Sequence, residues 1–275
     1  MLQSAFSPWP AFSEEEADKA REILLSNRVN YWTGSEGRAF EKEFAAFAGT
    51  DYAVALANGT VALDLSLKAP GIGPGDEVIV TSRSFIASAS SIVLCGATPV
   101  FADVDRDSQN ITAQTIAPHV SERTRAIILV HLAGWPCEMD EMLDLARQHS
   151  LVVIEDCAQA HGARFRGQSV GTFGDVGAWS FCQDKIMTTG GEGGMVTTND
   201  EMAASIVLTK YSVQNSFARA AVAHFHRVAA LDDTIRPEVI VHQRVDPSEG
   251  LQGLGDHALD RGRLRNVAVY PVHPV

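Results

Sequence analysis

The chain has 275 residues, 45% hydrophobic and 20% charged, enough to bury a full-sized core as one large domain or one domain with a smaller appendage. Its 22 basic and 34 acidic side chains give a net charge of -12, which argues against an electrostatic binder of nucleic acid or anionic membrane but not against a local pocket for a phosphorylated small molecule. No apolar run approaches the ~18 residues of a spanning helix, and Met1 to Phe6 lacks the basic start and long apolar core of a signal peptide. The four cysteines (Cys95, Cys137, Cys157, Cys182) are widely spaced with no CxxC, so no metal site is expected and free thiols in a reducing cytoplasm are the simplest reading.

In chain order, Ser13 to Ser26 is predicted to be a helix, because Ser13 and Glu16 form a capping box ahead of apolar residues at helical spacing. Asn27 to Gly37 is a loop. Ala39 to Ala48 is a second helix, with Phe40, Phe44 and Phe47 expected in the core. Asp51 to Ala57 is a short buried strand, and Asn58-Gly59-Thr60 opens a helix running to Lys68. A strand, a small-residue turn and a helix start offer free N–H groups and a helix dipole to a phosphate. Glu77 to Thr81 is a strand, Phe85 to Leu94 a helix, Thr98 to Val104 a strand and Thr112 to Val120 a helix. Ala126 to Leu132 is a nearly continuous apolar run, as expected of a central parallel strand. Asp140 to His149 is a helix and Leu151 to Ile154 a buried strand ending in Glu155-Asp156. Arg164 to Val170 is a hairpin around Arg166-Gly167. Gly177 to Phe181 and Gly194 to Thr198 are strands on either side of a glycine-rich turn.

This alternation predicts an α/β fold with a mainly parallel central sheet flanked by helices. Ligands of such sheets bind at the carboxyl ends of the strands. Asn58-Gly59-Thr60, Thr81 to Phe85, His131 and Glu155-Asp156 all fall at such ends. Helical spacing persists from about 203 to 230, and residues 232–275 lack clear periodicity.

The chemistry centres on Lys185, between Ser180 and Gly190-Gly191-Glu192-Gly193-Gly194. A lysine in a mostly uncharged loop is either a Schiff-base candidate or a surface lysine beside a flexible turn. A lysine, a strand-end carboxylate about 30 residues earlier and a phosphate cradle together meet the needs of pyridoxal phosphate. Lys185, Asp156, and Gly59-Thr60 with Ser180 fill those places.

Ala57 to Leu63, Glu155 to Ala163, and Ser180 through Lys185 to Gly194 resemble the motifs of the DegT/DnrJ/EryC1/StrS family of sugar aminotransferases, over roughly residues 7 to 210. The resemblance implies pyridoxal 5'-phosphate as cofactor and the fold type I large domain. It implies that Lys185 carries the cofactor and moves the proton, that Asp156 meets the ring nitrogen, and that Gln159 lies near the ring 3-hydroxyl. Gly59, Thr60 and Ser180 would hold the phosphate. Phe85 matches the aromatic position that stacks on the ring, with a core phenylalanine the equal alternative. His131 and His161 are read as core or supporting hydrogen-bonding residues, and Glu192 as a loop cap. Related dehydratases typically carry histidine at the position of Lys185, so lysine favours transamination. The substrates implied are an amino-acid donor, glutamate in most of the family, and a nucleotide-linked keto-sugar. A cytoplasmic homodimer is implied, with no nucleic-acid or membrane partner.

The expected organisation is a cofactor-binding large domain over residues 1–205 and an atypical tail over 206–275. The tail carries no equivalent of the family's C-terminal small domain, and the resemblance breaks between Met202 and Tyr211. A frame shift or truncation is the expected cause. The alternative function is an inactive remnant that binds the cofactor weakly or not at all. A regulator built on the same fold is a third reading, without a basic or helix-turn-helix-like segment in its favour.

Overall fold

A computed structural model of the chain describes residues 9–201. The helical spacing expected beyond 203 and the tail from 206 lie outside the described residues.

Helix α1 (Glu14–Leu25) begins where expected, with Ser13 Oγ accepting from Glu16 N–H and the Glu16 carboxylate accepting from Ser13 N–H. It buries none of its residues. Helix α2 (Glu36–Ala48) ends at Gly49, whose φ of 84° only glycine adopts without strain. Of its phenylalanines, Phe44 is buried, Phe40 is partly buried, and Phe47 is half exposed rather than in the core.

A seven-stranded sheet follows from β1 (Tyr52–Leu56), β2 (Glu77–Thr81), β3 (Thr98–Ala102), β4 (Thr124–Val130), β5 (Val152–Asp156), β8 (Val176–Ser180) and β9 (Gly194–Thr198), in the order β1-β9-β8-β5-β4-β2-β3. β6 (Arg164–Phe165) and β7 (Gln168–Ser169) form the expected small hairpin, with Arg166 and Gly167 at positive φ. Within the seven-stranded sheet, among the described residues, β9 alone runs opposite to the other strands. This places the loop between β8 and β9 at the carboxyl ends of the parallel strands.

Two helical layers cover the sheet. Helices α3 (Gly59–Lys68) and α4 (Ala87–Leu94) pack on one face through Leu63, Leu67 and Ile92 against Val80, Ile128, Ile154 and Ala178. Short α5 (Ala113–Ile116) and α6 (Met139–His149) pack on the other through Ile116, Met142 and Leu145 against Ile79, Ile127, Leu129 and Val153. α5 is shorter than predicted. Pro118 lacks an N–H, and residues 117–119 tighten into a 3-10 turn. α4 starts two residues later than predicted, leaving Phe85 and Ile86 in the preceding loop.

Candidate active site

Successive side chains of a strand point to opposite faces, so the adjacent carboxylates Glu155 and Asp156 part company. Asp156 follows Ile154 toward the α3–α4 layer. It is 5% exposed, with Oδ2 accepting from Ser88 Oγ (2.8 Å) and Oδ1 from Ala158 N–H (3.1 Å). Burial pushes its carboxyl above the usual carboxylate range, against the Ser88 and Ala158 hydrogen bonds. Glu155 follows Val153 to the other face and is fully buried. Its carboxylate accepts from Gly171 N–H (2.7 Å), Phe173 N–H (2.8 Å) and Gly174 N–H (2.7 Å), and pairs with His131 Nε2 (3.0 Å). His131 Nδ1 accepts from Cys137 N–H (3.1 Å), so the ring proton sits on Nε2, toward Glu155. His131 and Glu155 thus tie down the 171–174 turn and do not enter the cavity. Cys157 lies beside them, but burial pushes its thiol up to about 12. With Glu155 saturated by donors and the thiol neutral, the cluster is a hydrogen-bonded support. The four cysteines are free thiols.

The phosphate-sized corner is built by α3. Asn58 caps it, accepting from Val61 N–H (2.9 Å), which leaves the N–H groups of Gly59 and Thr60 without intrahelical acceptors. Ser180 ends β8 directly opposite. A Cβ on Gly59 would stand 2.6 Å from Ser180 Cβ, so only glycine lets the helix start approach the hydroxyl this closely.

The 181–193 loop closes on itself. Phe181 N–H donates to Gly193 O (2.8 Å), Gln183 N–H to Gly191 O (2.9 Å) and Thr189 N–H to Phe181 O (3.2 Å). Phe181 anchors it below, packed on Phe40 and Phe44 of α2. Glu192 contributes its carbonyl to Thr189 Oγ1 (2.8 Å) and its carboxylate to the Cys182 thiol (3.5 Å), a loop-closing role as expected. Lys185 is half-buried, its N–H bonded to Cys182 O (2.9 Å), and no carboxylate lies within ion-pair distance of its ammonium among the described residues.

Gln159 Oε1 accepts from Ala133 N–H (2.8 Å), in a turn where Ala133 takes the left-handed φ of 53°. With its oxygen engaged, Gln159 has its amide NH2 left to offer. Phe85 is 67% exposed, which rules out the core alternative. His161 packs between Trp179 and Phe181, and neither of its ring nitrogens reaches a hydrogen-bond partner among the described residues.

All seven residues singled out from the sequence (Gly59, Thr60, Phe85, Asp156, Gln159, Ser180 and Lys185) line one cavity of about 330 Å³. Sequence reasoning passed over Ser84, Ser88, Cys182 and Asp184, which line it too. Ser84 and Ser88 lie in a stretch whose spacing reads simply as helix. The walls carry three carboxylates (Asp156, Asp184, Glu192) against one ammonium, Lys185. A phosphate would rest on neutral donors and a helix dipole rather than on cations. The residue set fits pyridoxal phosphate: a glycine-tight anion corner, a buried carboxylate, a flat exposed aromatic ring and a lysine without a carboxylate partner among the described residues.

Comparisons with known proteins show what the chain as a whole is similar to. The chain is 50% identical over 188 residues to GDP-perosamine synthase of Caulobacter vibrioides, covering 67% of this chain and 50% of that protein. It is 50% identical over 172 residues to UDP-N-acetyl-3-dehydro-alpha-D-glucosamine 3-aminotransferase of Acidithiobacillus ferrooxidans, covering 62% and 47%. The X-ray structure of an aminotransferase from Psychrobacter cryohalolentis superposes with a TM-score of 0.73 at 62% identity, covering 74% of this chain and 52% of that one. The chain therefore spans about half the length of the relatives it matches. Several solved neighbours are aminotransferases, and the likeness bears out the fold type I class expected from the sequence. The model of the DegT/DnrJ/EryC1/StrS aminotransferase family matches residues 10–226, past the break expected between Met202 and Tyr211. The chain belongs to the DegT/DnrJ/EryC1/StrS aminotransferase family.

Proposed function

We propose that this chain holds pyridoxal phosphate in the 330 Å³ cavity and serves amino transfer from an amino acid, glutamate, to a nucleotide-linked keto-sugar. The observation that carries the reading is the convergence of seven residues, spread from Gly59 to Lys185, on that one cavity. When bound, the cofactor supplies an electron sink for carbon–hydrogen bond cleavage beside nitrogen. Lys185 Nζ, without an ionic partner among the described residues, attaches the cofactor and afterwards carries a proton. Asp156 turns a buried carboxylate toward the ring nitrogen. Gly59 and Thr60 N–H with the Ser180 hydroxyl take the phosphate. The Gln159 NH2 would be the donor for the ring oxygen, and Phe85 would cover the ring and limit water. The nucleotide sugars in the names of the relatives, GDP-perosamine and UDP-N-acetyl-3-dehydro-alpha-D-glucosamine, support the acceptor class.

In this reading residues 1–205 form the cofactor-binding domain and 206–275 a separate tail, and the protein works as a cytoplasmic homodimer. Phe85, Ile86, Val93 and Leu94, exposed in and just before α4, support a covering partner subunit. No helix among the described residues is long and apolar enough to cross a membrane. The test is mass spectrometry of products after incubating cofactor-loaded protein with glutamate and a panel of nucleotide keto-sugars. Amino-sugar formation is expected. Cofactor binding without any transfer would refute the activity, and failure to load the cofactor would favour the inactive alternative.

A further inference from the structure

Ser88 is a buried hydroxyl, 1% exposed, on the first turn of α4. Its Oγ donates to Asp156 Oδ2 at 2.8 Å, and Ser84 Oγ lies 2.7 Å from it on the other side. A serine hydroxyl has one proton to give. While Asp156 is ionised it can only accept, so Ser88 points its proton at Asp156, and Ser84 must then donate to Ser88. Both bonds acquire one direction, from the cavity wall at Ser84 inward to the carboxylate.

We propose that Ser88, oriented by Ser84, is a positioning residue that holds Asp156 as an anion with its remaining lone pairs turned to the cofactor ring nitrogen. This rests on the reading of Asp156 given above. The device answers a physical need. Burial favours the neutral acid, and a protonated Asp156 would present a donor where an acceptor is required. The other titratable groups near Asp156 are His131, Cys157 and Lys185. The proton of His131 is directed at Glu155, the Cys157 thiol stays neutral, and Lys185 belongs to the proposed reaction. Among the described residues, the Ser88 hydroxyl and the Ala158 N–H are the permanent donors to this carboxylate.

The test compares two ligands. Cofactor-free protein is titrated with pyridoxal phosphate and with 1-deazapyridoxal phosphate, in which a C–H replaces the ring nitrogen, and binding is followed by tryptophan fluorescence. Ser88→Ala is expected to weaken pyridoxal phosphate about tenfold while leaving the deaza analogue unchanged. Ser84→Ala, which leaves the buried hydroxyl in place, should give a smaller loss with the same selectivity. It also keeps the test alive if Ser88→Ala melts early. Equal losses for both ligands, or none, would overturn the proposal by making the serines merely structural. Asp156→Asn separates the two levels. If it too fails to distinguish the ligands, the assignment of Asp156 falls; if it distinguishes them and the serine variants do not, only the role of Ser88 falls.

Discussion

Gly59→Ala sets two effects of opposite sign against each other. Gly59 opens α3 with no left-handed φ, so backbone propensity alone makes alanine there stabilising by up to about 1 kcal/mol. The added Cβ, however, would lie 2.6 Å from Ser180 Cβ and 3.1 Å from Ser180 Oγ. Carbon atoms prefer about 3.5–4.0 Å, so the helix start and β8 must separate by about 1 Å. Overpacking of this kind costs about 1–3 kcal/mol, which outweighs the propensity gain. The same displacement pulls the Gly59 and Thr60 N–H groups away from Ser180. Losing a hydrogen bond to a charged phosphate costs about 1.5–3 kcal/mol, or about 10- to 150-fold in Kd. Thermal melting and equilibrium titration with pyridoxal phosphate measure the two quantities. A variant that melts higher than wild type and binds the cofactor equally well would refute the close-contact argument.

Two further outcomes follow from the supports around the site. Glu155→Gln replaces a carboxylate that accepts four hydrogen bonds with an amide that must direct its NH2 at a donor, and it should destabilise the fold by about 1.5–3 kcal/mol in urea denaturation; an unchanged midpoint would contradict the network. The His161 pKa is lowered from 6.5 to about 4, by burial first and then by the charge of Lys185. A group depressed in the folded state contributes stability above its unfolded pKa and loses it as pH falls through the folded value. Wild type should therefore lose stability relative to His161→Phe between pH 6.5 and about 4, with a constant difference above pH 6.5. A difference that is flat across that window would place a charged, solvated imidazole in the fold.

The fold was legible where local rules act alone. The capping box at Ser13, the helix start at Asn58 and the apolar runs of β2 and β4 each carry their own signal, and the sheet is mainly parallel as their alternation requires. That the seven candidates meet at one cavity was legible because strand ends, a small-residue turn and a lone lysine occur in a fixed order. What was not legible depends on contacts distant in sequence. Ser88 and Asp156 are 68 positions apart, and nothing in a helical Ala-Ser-Ala-Ser-Ser run marks the second of its residues. Glu155 looks as much like an active-site carboxylate as Asp156 does until the strand assigns the two to opposite faces. The reversal of β9 cannot be read from a five-residue apolar segment, since direction is set by its partners. Phe47 repeats the spacing of Phe44 yet lies half exposed, because α2 buries only one narrow stripe.

If Lys185 carries pyridoxal phosphate, reductive trapping finds the cofactor on that side chain. The protein is loaded with the cofactor, reduced with borohydride to fix any lysine adduct, digested and mapped by mass spectrometry. One pyridoxyl-modified peptide is expected, with the label on Lys185, and no label in Lys185→Ala. A label spread over surface lysines, or unmodified Lys185 in saturating cofactor, would contradict it.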